Sequence, residues 1–337
     1  MRPVAAVLDF PLVVIPGSQK AGTGTLFLLL ARHRRVAEPR LKEPEFFALD
    51  RAAIERHWDW YRQLHRAGEG QLSLDASPFY LWSERAPENI RRHVPEARIL
   101  ITLRDPARRA FSSYLHMVKR GKPLERRRFD DLLARLEERT AELGLRAAER
   151  ALLEGAVAEG SVDADFFDAG YLKRLIGAPY DAELEDPLWN YRYFGLSVYR
   201  DNVERFERAF PGRTRLIFLE ELAADHEGVV RGVLEFLGLE VEESLLDPVH
   251  ANPTRVPSGA LGRWVARLQE RGEALAGPAR GLRRLGLGRL VDAGSDAFFG
   301  PPPRMTEEQR RRSVALLRDE YDYWHAREPR LRQLWPT

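Results

Sequence analysis

A short apolar run that leads into a glycine-rich turn constrains this chain more than any other feature. The run 12–15 is stopped by Pro16 and Gly17, as is typical of a buried strand in a parallel sheet. The turn ends at a second apolar run, 26–30, which predicts a helix. The start of such a helix presents free N–H groups and the positive end of its dipole, and Lys20 adds a positive charge beside it. The sequence therefore predicts a loop that binds a phosphate or a sulfate group.

This loop differs from the common nucleotide-binding loop in the position of its lysine. That motif has a glycine, four further residues and then Gly-Lys-Ser/Thr, whereas Lys20 precedes Gly22 here. The standard hydroxyl for Mg²⁺, directly after the lysine, is therefore missing. The difference argues against a P-loop kinase or another nucleotide triphosphatase, which stays as an alternative. On this stretch alone, a strand–turn–helix junction with incidental glycines is a second alternative.

A second buried strand is expected at residues 97–103, and it ends in another set of anion-binding side chains. Arg104 follows the strand, Pro106 suits the first turn of a helix, and Ser112 lies two turns along it. On its own, this stretch would be interpreted as an arginine-rich helix start capped by Asp105. The carboxyl ends of parallel strands meet at one edge of a sheet, however, where ligands bind. Two anion sites at that edge predict one ligand with a charged group at each end.

A lysine and a carboxylate stand side by side downstream of the first loop, at Lys42 and Glu43. Pro44 disfavours helix at Glu43, which predicts a loop or an extended segment. A carboxylate placed there can take a proton from a hydroxyl group, although a surface salt pair is the commoner role of such residues. Residues 71–75 alternate as a short strand does, and the segment 75–80 follows at the strand end.

Four segments resemble motifs of sulfotransferases that use 3′-phosphoadenosine 5′-phosphosulfate (PAPS). Residues 20–25 look like the 5′-phosphosulfate loop of that family, and residues 103–114 look like its 3′-phosphate motif. Residues 42–47 resemble the Lys-Glu-x-His-Phe-Phe segment of the branch that modifies glycosaminoglycans, and residues 75–80 resemble its Ser-Pro segment. The four segments occur in the family's order, which makes the combination specific.

The resemblance implies an α/β fold with a central, mostly parallel sheet flanked by helices, a P-loop-like nucleotide-binding core and helical insertions. It covers about residues 10–255. We expect a single domain over residues 1–337, with a helical, acceptor-facing insertion at about 118–193 and a C-terminal decoration at about 256–337.

The resemblance also implies a role for each candidate residue. Lys20 and the loop N–H groups would stabilise the charge on the leaving phosphate. Glu43 would take the acceptor's proton, and Lys42 would keep Glu43 ionised. The mechanism needs no metal. The residues expected to bind PAPS, including a late-loop arginine, are Lys20, Ala21, Gly22, Thr23, Gly24, Thr25, Arg104, Ser112 and Arg255.

One position departs from the glycosaminoglycan branch. Glu45 stands where that branch has a histidine, two residues after the glutamate. The departure leaves open both the identity of the acceptor and the identity of the base. His116, His57 and His65 are reserve candidates for the base, although each is of a type that more often has a structural role.

Composition excludes several other classes. The chain has a net charge of +2, which gives no reason to expect a nucleic-acid partner, and no cysteine, which excludes disulfides and thiolate chemistry. The apolar run 26–31 is far shorter than the roughly 20 residues that span a bilayer, and no leader is visible, so a cytoplasmic location is expected. An amphipathic stretch within residues 260–303 is compatible with peripheral membrane contact, although tertiary docking is commoner.

The expected function is transfer of a sulfuryl group from PAPS, with release of adenosine 3′,5′-bisphosphate (PAP), to a hydroxyl of a carbohydrate or small-molecule acceptor. A P-loop kinase-like enzyme and a catalytically inactive nucleotide-binding module are the alternatives. The sequence predicts no particular oligomeric state.

Overall fold

The centre of the protein is a five-stranded parallel sheet with the strand order β2-β3-β1-β4-β5. The computed structural model describes residues 7–119, 125–162, 188–248, 256–257, 299–300 and 302–337. The sheet strands are β1 (Leu12–Val14), β2 (Val36–Ala37), β3 (Leu72–Asp75), β4 (Arg98–Leu103) and β5 (Thr214–Phe218). A separate antiparallel pair consists of β6 (Val256–Pro257) and β7 (Phe299–Gly300).

The helices of the described residues cover both faces of this sheet. They are α1 (Thr23–Leu30), α2 (Arg51–Leu64), α3 (Ala86–His93), α4 (Pro106–Lys119), α5 (Phe129–Leu143), α6 (Leu145–Ala158), α7 (Arg200–Ala209), α8 (Leu219–Ala224), α9 (His226–Leu237), α10 (Glu307–Leu316), α11 (Arg318–Arg327) and α12 (Leu331–Leu334). Short 3₁₀ turns lie at Phe46–Ala48, Trp189–Tyr191, Gly195–Ser197 and Glu243–Leu245. Within the described ranges, no helix combines the length and the apolar character that crossing a membrane requires.

Alternation along β1 divides the core into two layers, because successive side chains of a strand point to opposite faces. Val13 belongs to a cluster that α1 and α9 complete. Leu12 and Val14 belong to a larger cluster that includes side chains of α2 to α7 and of α11. The expectation of a parallel sheet flanked by helices is therefore confirmed, and β4 begins within one residue of its predicted start.

The described part of the predicted insertion is a pair of helices, α5 and α6, joined at Gly144. Helix α10 holds this pair to the rest of the protein. Gln309 donates to Asp130 at 2.9 Å, and Arg312 pairs with Glu137 at 2.7 Å. A capping box at Thr306 fixes the start of α10, since the side chains of Thr306 and Gln309 each bond the other's backbone N–H. That the insertion faces the acceptor stays a prediction, as does the single-domain organisation.

Candidate functional site

The loop that follows β1 is fastened to the neighbouring strand β4. Ser18 N donates to the Thr102 carbonyl at 2.6 Å, and Thr102 N donates to the Gly17 carbonyl at 2.7 Å. Gly17 has a φ of 139°, and a Cβ there would lie 2.8 Å from the carbonyl oxygen of Pro78. Only glycine fits such a close approach of two backbones. The start of the loop is therefore fixed by the sheet edge itself.

The rest of the loop turns through two residues with left-handed backbone, Lys20 (φ 69°) and Gly22 (φ 94°). Gly22 is the N-cap of α1, and no side chain caps this helix start. A Cβ on Gly22 would lie 2.9 Å from Leu219 Cδ1. The predicted loop residues Ala21 and Thr23 are buried, whereas Gly24 and Thr25 are half-buried. The arrangement presents the backbone of an uncapped helix start, which attracts anions.

Arg104 meets this loop directly. It follows β4, the sheet neighbour of β1, and its Nη1 donates to the backbone carbonyl of Lys20 at 3.3 Å. Burial lowers the pKa of the Arg104 guanidinium, while the nearby Glu220 carboxylate acts in the opposite direction. Nε of Arg104 is buried without a hydrogen-bond partner among the described residues. The two predicted anion sites thus lie side by side, and Arg104 keeps a donor that a bound oxyanion could satisfy.

A cavity of about 410 Å³ adjoins Arg104. Arg104, Arg108 and Ser112 line it from the start of α4, and Arg304 and Met305 line it from the segment before α10. Arg310, on the same wall, pairs with Asp105 at 2.9 Å. Asp105 also accepts from Arg108 N, as expected for a capping residue. Arg104 and Ser112 therefore line the same arginine-rich cavity, and their shared role in binding a phosphate stays a prediction.

Lys42 and Glu43 form an ion pair beside the end of β3 and the first turns of α1. The Lys42 carbonyl accepts a hydrogen bond from Ala76 N at 3.1 Å, just after β3. Lys42 Nζ lies 5.8 Å from the centre of the Phe27 ring, one turn into α1. The Glu43 side chain is 39% exposed. The pair is thus close to the anion loop and open to a substrate.

The end of β3 holds a buried carboxylate. Asp75 accepts hydrogen bonds from Tyr61 OH at 2.8 Å, Tyr80 OH at 2.9 Å and Ser77 Oγ at 2.7 Å. Burial raises the pKa of Asp75 to about 6, the three hydrogen bonds oppose that rise, and the charge of Glu43 adds to it. Among the described residues, all the hydrogen-bond donors to this buried carboxylate are hydroxyl groups.

The reserve histidines have different surroundings. His65 is buried, its Nδ1 lies 2.7 Å from Ser73 Oγ, and burial lowers its pKa to about 4. His57 has a non-helical backbone conformation inside α2. His116 is half-buried in α4. His65 therefore belongs to the core. Arg255, the late-loop candidate, lies outside the described residues.

Residues 42–159 match the model of the sulfotransferase family. This matched part of the chain resembles sulfotransferases. The chain is 36% identical to human heparan sulfate glucosamine 3-O-sulfotransferase 6 over 106 residues. This aligned stretch covers 31% of the chain and 30% of that protein. It is 26% identical to mouse heparan sulfate glucosamine 3-O-sulfotransferase 3A1 over 234 residues. That alignment covers 69% of the chain and 47% of the mouse protein.

The chain thus spans between about a third and a half of the length of these relatives. Among solved structures, a sulfotransferase from Alicyclobacillus acidocaldarius is 25% identical, with a TM-score of 0.46, over 71% of this chain and 89% of that chain.

The sequence analysis included Arg109 in the segment 103–114 but gave no role to this buried arginine, which supports the anion loop. Arg109 Nη1 donates to the Gln19 carbonyl at 3.4 Å, Nε to Ser197 Oγ at 2.8 Å and Nη2 to the Tyr193 carbonyl at 2.9 Å. Arg304 was missed, since it lies far along the chain from Arg104. The signal that could have indicated a role for Arg109 is its position on α4, five residues after Arg104. Nothing local marks Arg304.

Proposed function

We propose that this protein transfers a sulfuryl group from PAPS to a hydroxyl of a carbohydrate or small-molecule acceptor. The observation that carries the proposal is the contact between the Arg104 guanidinium and the Lys20 carbonyl. It brings the loop at residues 17–25 and the Arg104 segment to adjoining positions of one sheet edge. A single nucleotide with an anion at each end fits two adjoining sites of this kind, and the match of residues 42–159 to the sulfotransferase family model supports the same donor.

The anion loop would bind the 5′ end of the donor. When the sulfuryl group leaves, negative charge develops on the phosphate that remains. Lys20 and the N–H groups at the start of α1 are fixed in place before the reaction, so they stabilise that charge with little reorganisation. The strand contacts at Gly17 and Ser18 keep these donors aligned.

The cavity beside Arg104 would bind the 3′-phosphate. Arg104 and Ser112 supply a planar guanidinium and a hydroxyl, and Arg108 and Arg304 add positive charge at the same cavity. Arginine forms paired hydrogen bonds with phosphate and stays charged. This site would therefore select nucleotides that carry a 3′-phosphate, and Arg255 is proposed to cover it.

Glu43 would act as the base on the acceptor side. The acceptor oxygen forms its new bond to sulfur while the bond from sulfur to the phosphate oxygen breaks, and the acceptor's proton goes to the Glu43 carboxylate. Lys42 forms an ion pair with that carboxylate. A carbohydrate acceptor is supported by the names of the relatives, which act on glucosamine of heparan sulfate.

The test is a transfer assay with PAPS and heparan sulfate, in which release of PAP is measured so that transfer to water is also counted. The wild type is expected to release PAP, and Glu43→Gln is expected to reduce kcat by about 10²- to 10⁴-fold, the usual contribution of a general base. Glu45→Gln is the matched control, because it changes a neighbouring carboxylate that has no assigned proton transfer. Equal turnover of wild type and Glu43→Gln would refute the base.

A further inference from the structure

The segment that carries Glu43 is fastened at three points to the segment that follows β3. The Lys42 carbonyl accepts from Ala76 N at 3.1 Å. Glu45 N donates to Ser77 Oγ at 2.9 Å, and Phe47 N donates to Tyr80 OH at 3.2 Å. Glu43 lies between the first and second of these points. Its backbone is therefore positioned by residues 76–80 and not by a helix or strand of its own.

Asp75 sets the direction of both hydroxyl groups that hold this segment. A hydroxyl group has one proton to donate and lone pairs to accept with. Ser77 and Tyr80 each donate their proton to the Asp75 carboxylate. Their lone pairs are therefore left for Glu45 N–H and Phe47 N–H. The two hydroxyl groups point the required way because a buried, acceptor-only carboxylate lies behind them.

The backbone next to Glu43 needs such support. Glu45 has a φ of 56°, the left-handed region that a residue with a side chain rarely adopts. Pro44 precedes it and is buried. Strained residues of this kind persist only where their surroundings hold them, and they cluster at functional sites. The hydrogen bond from Glu45 N to Ser77 Oγ at 2.9 Å is one of the contacts that hold this turn.

We propose that Asp75 is a positioning residue that orients Glu43 for proton transfer, acting through Ser77 and Tyr80. The inference rests on the proposed role of Glu43 as the base. Tyr61, on α2, is the third residue whose hydroxyl donates to Asp75. Its hydroxyl has no described contact with residues 42–45. In the described part of the chain, the titratable groups that act on Asp75 are Tyr61, Tyr80 and Glu43. Lys42 pairs with Glu43.

Two tyrosines provide a matched pair of variants. Tyr61→Phe and Tyr80→Phe each remove one hydroxyl that donates to Asp75 and leave the ring in place. Only Tyr80→Phe also removes the acceptor of Phe47 N–H. We expect kcat for PAP release in the heparan sulfate assay to fall about tenfold in Tyr80→Phe and less than about threefold in Tyr61→Phe, because small misplacement of a reacting group has large effects. Equal losses in the two variants would overturn the proposal.

Asp75→Asn tests the carboxylate itself. An amide can donate as well as accept, so one hydroxyl loses its acceptor-only partner. We expect kcat to fall by about 10- to 100-fold while the KM for PAPS and the thermal shift with PAP stay unchanged. We also expect the wild type to lose kcat as Asp75 becomes protonated, near pH 6, and the variant to lack this loss. A purely structural role would leave the shape of that profile unchanged.

The outcomes separate this proposal from the proposed function. If Glu43→Gln loses turnover but Asp75→Asn keeps the wild-type kcat and pH profile, Asp75 has no positioning role and the function stands. If Glu43→Gln keeps its turnover, the base is wrong, and the positioning role is overturned with it. If both variants lose turnover and Tyr80→Phe loses more than Tyr61→Phe, the positioning role is supported.

Discussion

Two proposed parts of the site, the donor loop (residues 17–25) and the base segment (residues 42–47), lie near the same sheet edge but are built in different ways. The donor loop, residues 17–25, is shaped by its own backbone: strand-to-strand contacts, close approaches at Gly17 and Gly22, and an uncapped helix start. The base segment, residues 42–47, is shaped by side-chain hydroxyls that belong to other parts of the chain. The donor loop is therefore sensitive to added side-chain volume, whereas the base segment is sensitive to lost hydroxyl groups.

The largest effect that sharpens this comparison is expected from Lys20→Met. Methionine keeps the length of the side chain and a similar left-handed strain at this residue, so the variant removes mainly the charge. Loss of one preorganised group that stabilises developing charge reduces kcat by about 10²- to 10³-fold. The measurement is kcat for PAP release with PAPS. Lys42→Met, on the base segment, is the control, and a loss as large as that of Lys20→Met would place the main charge stabilisation on the wrong segment.

The second-largest effect is expected in the pH dependence of the free energy of unfolding. The pKa of Asp75 is raised from 3.8 to about 6 in the folded protein, so between these values the unfolded chain loses a proton that the folded protein keeps. The free energy of unfolding therefore falls as pH rises through this window, by about 3 kcal/mol for this group. Asp75→Asn should lack that contribution, so its stability relative to the wild type should rise from pH 4 to pH 7.

Urea unfolding at a series of pH values measures this difference. Glu149 has a pKa raised to about 7 by burial and shifts stability in the same direction, but it is present in both proteins and cancels in the comparison. A constant difference between Asp75→Asn and the wild type across the window would mean that Asp75 does not titrate as its burial requires.

A smaller effect tests the backbone of the donor loop. Gly22→Ala places a methyl group 2.9 Å from Leu219 Cδ1 at a φ of 94°, and we expect PAP to bind roughly 30-fold more weakly because the helix start must shift. Gly70→Ala is the matched control, because Gly70 also has a positive φ (74°) but has open space around it. It should lower stability by about 1 kcal/mol and leave PAP binding unchanged. Unchanged binding in Gly22→Ala would remove this loop from the donor site.

The contrast between the two regions also explains what the sequence could predict. The donor loop and the Arg104 segment are local patterns, and the rule that parallel strands end at one edge brings Lys20 and Arg104 together. The sequence predicted the charged pair of the base segment, but it did not predict the hydroxyl groups and the carboxylate that hold this segment in place. Tyr61, Ser77 and Tyr80 converge on Asp75 only through tertiary packing, which no local pattern encodes.

The same limit applies to the two arginines whose roles the sequence did not predict. Arg304 reaches the cavity beside Ser112 from a segment near the C-terminal end of the chain. Arg109 is hidden in the core and acts on the loop through the Gln19 carbonyl. Both depend on contacts between residues far apart in the sequence, so their roles became visible only in three dimensions.

The central claim is that Lys20 and Arg104 bind opposite ends of one nucleotide. The most direct measurement compares the thermal stabilisation of wild type and Arg104→Ala by PAP, by adenosine 5′-phosphate and by ATP with Mg²⁺, because a ligand that binds the native state raises its stability. We predict that PAP stabilises the wild type most, and that Arg104→Ala reduces the affinity for PAP at least about tenfold while the affinity for adenosine 5′-phosphate is unchanged. Equal losses for the two nucleotides, or stronger stabilisation of the wild type by ATP with Mg²⁺, would contradict the claim.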